Sequence, residues 1–220
     1  QQMDQIGNEL ALRKELDGFK VICGATNPYN YNGTAYNTFL TSGNWVNDVE
    51  NELNDWTDVN VANAMFSRMT DQESSNRIAV QADTILCSPT KQLTAQYIQA
   101  STEIETRTAS GAQVRHAPRL GDVYKVKSSA YLDQVLTTAA ASGGLALTQA
   151  QADEYWWLMK TDPKRSSFVR VENWPVSINQ ARPDDFTMLN HKLLLAVFAD
   201  QMHVFALREP RYVIRNKNES

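Results

Sequence analysis

Apolar positions recur along this chain in two periods, and the changes of period mark its elements. Met3, Ile6, Leu10, Leu12, Leu16 and Phe19 are spaced mostly three or four apart, which stacks side chains on one face of an α-helix. Residues 1–21 are therefore expected to form an amphipathic helix. The same stripe would serve a partner-binding arm, and the pattern does not separate the two. Residues 24–43 lose the period. Asn, Tyr, Gly and Thr crowd there, and Asn27-Pro28 and Asn32-Gly33 are turn dipeptides, so a loop is predicted whose aromatic rings pack on something. Trp45, Val46, Val49, Leu53 and Trp56 return to helical spacing, with Asn44 in the capping position. A second stripe, Val61, Ala62, Met65, Phe66 and Met69, points nearly the other way. At about 100° per residue one straight helix cannot turn both stripes to one core. Two helices, or a kink near Trp56-Thr57, are expected, the second running from Thr57 to about Gln72. Its methionines read as core in preference to a ligand-binding box.

Strand-like spacing follows. Ile78, Val80 and the run from Thr84 to Cys87 read as strand, stopped by Ser88-Pro89-Thr90, which opens a helix over 91–100 carrying Leu93, Tyr97 and Ile98. Residues 101–121 are polar and include Arg107, Arg115, His116 and Arg119. They read as an exposed loop or hairpin, or as a contact surface for a neighbouring subunit. Residues 122–132 alternate through Val123 to Lys127 and continue to Tyr131-Leu132 as a strand. Residues 137–144, rich in Ala, Thr, Ser and Gly, are expected to be a mobile loop. Residues 148–160 read as a helix or hairpin edge ending in Tyr155 to Met159. Trp156 and Trp157 are assigned to the core, against a base-stacking platform. Val169 and Val171 then alternate with Arg170 and Glu172, the mark of a half-buried strand. Pro175 breaks the run, and Val176 and Ile178 resume it. Arg182-Pro183-Asp184-Asp185 is a turn signal. Residues 192–198, apolar after Lys192, and 202–207, apolar around His203, read as strand, and Arg208-Glu209-Pro210 turns the chain into Arg211 to Arg215. A sheet this apolar needs cover, which the rest of the chain must supply.

With 220 residues the chain can bury a core, as one large domain or two small ones. A net charge of −4 argues against a protein that binds phosphates by counterion release. The apolar runs are too short to span a membrane, and no signal segment opens the chain. It begins at Gln1 and not at Met, which points to a segment upstream. Cys23 and Cys87 each adjoin an apolar run and read as buried thiols; His116, His191 and His203 have no metal-ligand spacing. Gly143-Gly144 lacks the rest of a phosphate loop, and no nucleophile elbow exists. Asp184-Asp185 is a turn, and the carboxylates around Glu52 are a solvated face, so neither pair suggests a sugar cleft. There is no internal repeat.

The segment Phe168-Val169-Arg170-Val171-Glu172-Asn173-Trp174-Pro175 resembles the late strand of tailed-bacteriophage major capsid proteins. So does the run from Asp185 through the apolar strand to Glu209-Pro210-Arg211-Tyr212-Val213, similar to the ending that closes that family's peripheral domain. Ile85-Leu86-Cys87-Ser88-Pro89 before a short helix, the strand leading to Tyr131-Leu132, and the aromatic residues before Asp162-Pro163-Lys164 are similar as well. The Asn/Gly loop ahead of the central helix adds to the likeness. The resemblance covers about residues 24–215 and is strongest after Tyr155. It departs at the front, where family members carry an arm and an extended loop; here a segment has been removed or residues 1–32 do that job in shortened form.

The resemblance implies an α+β subunit with the HK97-like capsid fold. Residues 1–43 would be the N-terminal helix or arm and loop, and 44–82 the peripheral-domain helices, with the spine helix from Thr57. Residues 83–160 would be the axial domain, and 161–220 the peripheral-domain strands. It further implies hexamers and pentamers of the same chain closing into an icosahedral head shell around phage DNA, held without sequence specificity. Assembly would take place in the host cytoplasm and the product would be the virion capsid. Scaffolding, portal or decoration proteins would be further partners; no catalysis, cofactor, metal or membrane is implied. An encapsulin-like compartment around cargo enzymes is the alternative of the same fold, and a small α/β enzyme with an unrecognised site the third reading. Basic residues cluster at Lys160, Lys164 and Arg165 and at Arg208, Arg211 and Arg215. Lys160, Lys164, Arg165, Arg208 and Arg211 are the candidates for a subunit interface, where they would pair with acidic groups of adjacent copies in salt-sensitive contacts. Ordinary solvated cations are the competing reading.

Overall fold

The computed structural model describes residues 2–26, 29–43, 45–71, 74–100, 104–107, 113–116, 123–181 and 196–218. The first helix, α1, runs over Gln2–Cys23 and exceeds the expected length by two residues at its C-terminal end. A two-residue hairpin follows, β1 (Tyr29–Tyr31) and β2 (Thr34–Tyr36), turned at Asn32 (φ 49°) and Gly33 (φ 80°). That left-handed pair is what an Asn-Gly turn supplies. Its rings do pack: Tyr29 and Tyr36 stand edge-on to Trp45, with centroids 5.5 and 5.3 Å away.

The expected helix over 44–56 does not form. Trp45 and Leu53 are buried, but so are Asn47 and Asp48, which a helical stripe through the apolar positions would leave outside. The chain instead makes strand β3 (Asp48–Glu50), and helix α2 (Trp56–Arg68) begins at the predicted break. Asp55 and Asp58 form a reciprocal capping box there. Strand β4 is confined to Thr84–Cys87; a 3₁₀ turn at Pro89–Lys91 leads into α3 (Gln92–Ala100). Of the apolar set read for α3, Ile98 is buried with Ala95, while Leu93 and Tyr97 face outward, 77% and 76% exposed. The polar stretch after it contains a hairpin, β5 (Ile104–Arg107) with β6 (Gln113–His116). Strand β7 is only Lys125–Ser128, because Ser129 caps helix α4 (Ala130–Thr137), which takes Tyr131 and Leu132.

Residues 137–144, expected to be mobile, form a compact turn. A 3₁₀ turn at Ala140–Ser142 ends at Gly143 (φ 80°), and the Ala146 and Leu147 amides bond back to Thr138 and Leu136. A methyl group on Gly144 would stand 2.1 Å from the Thr138 carbonyl oxygen, so only glycine fits. Helix α5 (Gln149–Asp153) precedes β8 (Trp156–Met159).

β8 lies in a mixed five-stranded sheet of order β3-β11-β8-β4-β7, where β11 is Val213–Lys217. Both faces of this sheet are covered. Ile85, Cys87, Trp156, Leu158 and Ile214 pack with Phe66 and Ala62 of α2 and Ile98 of α3. Leu86, Trp157, Met159 and Val213 pack with Leu132 and Leu136 of α4, Ala152 of α5 and Cys23 of α1. Strands buried on both sides have no polar alternation to display, which is why the sequence pattern of Tyr155 to Met159 was ambiguous. Three of the four expected segments (44–82, 83–160 and 161–220) each contribute strands to this one sheet.

The remaining sheet is a long hairpin, β9 (Phe168–Ala181) with β10 (Ala196–Leu207). Pro175 interrupts the alternation of β9, as expected, and the strand continues past it. The ladder pairs Glu172 with His203, Trp174 with Met202 and Ser177 with Asp200, so β9 carries extra residues around Asn173 and Pro175-Val176. Bulges are where a strand tolerates a residue without an N–H. Helix α1 lies along this hairpin: Gly18 touches Phe205 and Gly7 approaches Ile178. The helix from residue 56, expected to be the spine against the long strands, instead packs over the five-stranded sheet. The turn at Arg182-Pro183-Asp184-Asp185, His191, Lys192 and the apolar residues 193–195 lie outside the described residues.

Candidate assembly surfaces

Ser167 joins the two sheets. Its buried hydroxyl donates to the carbonyls of Lys160 and Tyr212, its N–H donates to Lys160 O at 3.1 Å, and its carbonyl accepts the Arg208 amide at 2.8 Å. The two basic clusters of the sequence therefore meet at the base of the β9–β10 hairpin.

Their side chains differ in what they do there. Lys160 Nζ sits 2.9 Å from Asp83. Partial burial pushes the Asp83 carboxyl up, but the Lys160 ammonium and hydrogen bonds from Thr161 and Thr84 outweigh it and hold the group below its usual value. Arg211 is forked onto Glu209 (2.6 and 2.9 Å) and reaches Asp71 at 3.0 Å. The Glu209 bonds, with Asp71 adding to them, raise its pKa further above the ordinary arginine value despite burial. Arg215 makes a fork to Asp48 (2.9 and 2.7 Å) and lies over the Phe39 ring at 4.4 Å. Lys164, Arg165 and Arg208 are exposed. Arg165 caps the Ala79 carbonyl at 3.4 Å and, with Arg77 and Lys160, borders a cleft of about 670 Å³. The cations thus divide into some that hold this chain together and others that face outward.

The hairpin has two unlike faces. On the side of α1, Phe205 meets Gly18, Lys14 bonds to Glu172, His203 Nε2 lies 3.8 Å from Asp17, and Gln201 reaches the Leu10 carbonyl. The other face presents Val171 paired with Val204 and Trp174 paired with Met202, between 55% and 57% exposed. The expected alternation is present, but its sense is reversed. Helix α1 lies on the Arg170/Glu172 side, where Lys14 pairs with Glu172 and Glu172 with Arg170 although both strand residues stay exposed, and the valine face is open. A signal existed in the sequence: β10 is apolar at both parities, and a single covering helix leaves one set uncovered.

Cys23 and Cys87 are buried and unpaired with each other. Burial pushes both thiols up, Cys87 to about 12, which leaves them inert. Among the described residues no group of His, Cys, Asp and Glu could hold a metal ion, and no helix is long and apolar enough to cross a membrane.

A family model described as phage capsid protein matches residues 1–216. No curated protein matches the chain.

Proposed function

The chain belongs to the phage capsid protein family, and we propose on that footing that its copies assemble into the icosahedral head shell that encloses phage DNA. Proteins of this kind are structural and not catalytic, associate with themselves and reside in the virion. The observation that carries the finer reading is the extent of the match, which runs unbroken from α1 through β10 and into β11. In this reading the subunit has the HK97-like fold. The spine is α1, roughly 33 Å long at 1.5 Å per residue, lying on the long β9–β10 strands as the peripheral part. The five-stranded sheet with α2 to α5 is the axial part of hexamers and pentamers. Lys164, Arg165 and Arg208 are the outward cations for contacts between copies, while Lys160 and Arg211 act by shaping the surface around them. DNA is held inside without base readout, which agrees with the net charge of −4.

Negative-stain microscopy of the purified protein over a series of salt concentrations tests this. Capsomers or closed particles are expected, and single copies under every condition overturn the proposal. Nucleic acid inside the particles marks a phage head; packaged enzymes would instead mark a cargo compartment.

A further inference from the structure

We propose that the open face of the β9–β10 hairpin is a contact between two copies of this chain, packed sheet on sheet. The inference rests on the capsid reading above and assigns one of its contacts to a particular surface.

Val171, Val204, Trp174 and Met202 form two cross-strand pairs, each side chain more than half exposed. Their exposed parts sum to roughly 400 Å², within the roughly 300–600 Å² of the largest apolar patch on a typical monomer, a patch that is often functional. Laid face to face, two copies would bury about 800 Å² of apolar surface before any rim is added, approaching the total at which specific interfaces begin. The four side chains sit together without a charged residue among them.

Charge placement selects a second copy as the occupant, and an orientation for it. The alternation of β10 puts Asp200 on the open face beyond Met202, since Ala199 and Gln201 both face α1. Asp200 is exposed and accepts a hydrogen bond from Ser177 across the ladder. At the opposite end, Arg208 follows directly on β10, its amide bonded to the Ser167 carbonyl, and is exposed. An apolar stripe with an acid at one end and a base at the other is complementary to itself when turned end for end. Two copies related by a two-fold axis bring each Asp200 to the other's Arg208, whereas parallel stacking sets like against like.

Trp174 makes the test direct. Trp45, Trp156 and Trp157 are buried and Trp56 is half-buried, so Trp174 is the most exposed of the five tryptophans. Acrylamide quenching of the full chain, with Trp174→Phe to assign the component, is followed as the protein is concentrated from single copies to assemblies. Quenching of Trp174 should fall several-fold on assembly. Met202→Glu should raise the concentration needed for assembly by roughly ten-fold. Arg208→Glu should weaken association, and Asp200→Arg added to it should restore it. Assemblies in which Trp174 stays as quenchable as in single copies overturn this inference and leave the capsid reading intact. Failure of the wild-type chain to assemble at all overturns both. Protection of Trp174 only when another protein or nucleic acid is added also overturns it, by naming a different occupant.

Discussion

Asn47 shows how much a single buried amide organises. Its Oδ1 accepts the Leu40 N–H at 2.8 Å, and its Nδ2 donates to the carbonyls of Thr38 and Pro210, each at 3.0 Å. One side chain therefore fixes the loop after β2 against the turn before β11. Asn47→Ala would orphan three backbone groups in a dry site and should cost about 3 kcal/mol, read as a lowered midpoint in urea unfolding. Asp133 of α4 is a contrasting case. Burial, with the Asp153 charge adding to it, raises its carboxyl pKa even though Ser88 donates to it, and its Oδ1 has no partner. A carboxyl whose folded pKa is raised is better tolerated protonated, so its contribution is fully favourable below the unfolded value and is lost as pH rises through the folded one. Asp133→Asn should therefore be more stable than the parent at pH 7, and the difference in melting temperature should shrink on acidification toward pH 4.

At the scale of elements, what could be read from the sequence was set by whether a period has one exposed side. The helix α1, the break before α2 and the alternation of β7 and β9 were legible because each has a wet face. The all-buried β4 and β8 gave apolar runs without a period. Residues 44–56 gave a helical period by coincidence, since Trp45 and Leu53 are buried from a strand and its flanks, and the buried Asn47 and Asp48 contradict a stripe. The covered side of β9 was not legible at all. It depends on Lys14 and Asp17, 158 and 186 residues away from Glu172 and His203, and no local rule links them. The candidate interface cations were legible only as charge: position in sequence cannot tell Arg211, forked onto Glu209, from Arg208, which faces water. Helix α2 supplies an element-scale prediction. Asp55→Ala removes the acceptor for the Thr57 amide (2.7 Å) and half the capping box, and should cost about 1 kcal/mol, seen as earlier exchange of the first-turn amides.

For the molecule as a whole, the outward cations at the base of the hairpin are expected to act between copies. Lys164→Glu with Arg165→Glu should weaken assembly while leaving the far-ultraviolet circular dichroism unchanged, because both residues are exposed. The loss should be largest at low salt, where such contacts are least screened, and light scattering against ionic strength would read it. Unaltered scattering would remove this pair from the set of contact residues.

The place of β11 in its sheet bears on how the protein is made. β11 lies between β3 and β8, parallel to one and antiparallel to the other, and every other described strand precedes it in the chain. While the ribosome is still translating, the sheet has a gap at its second position, with Trp157 and the Asp48 carboxylate awaiting Arg215. The sheet of a nascent chain thus stays unfinished until β11 has emerged. Emergence of β11 would then time when a subunit becomes competent to meet its neighbours.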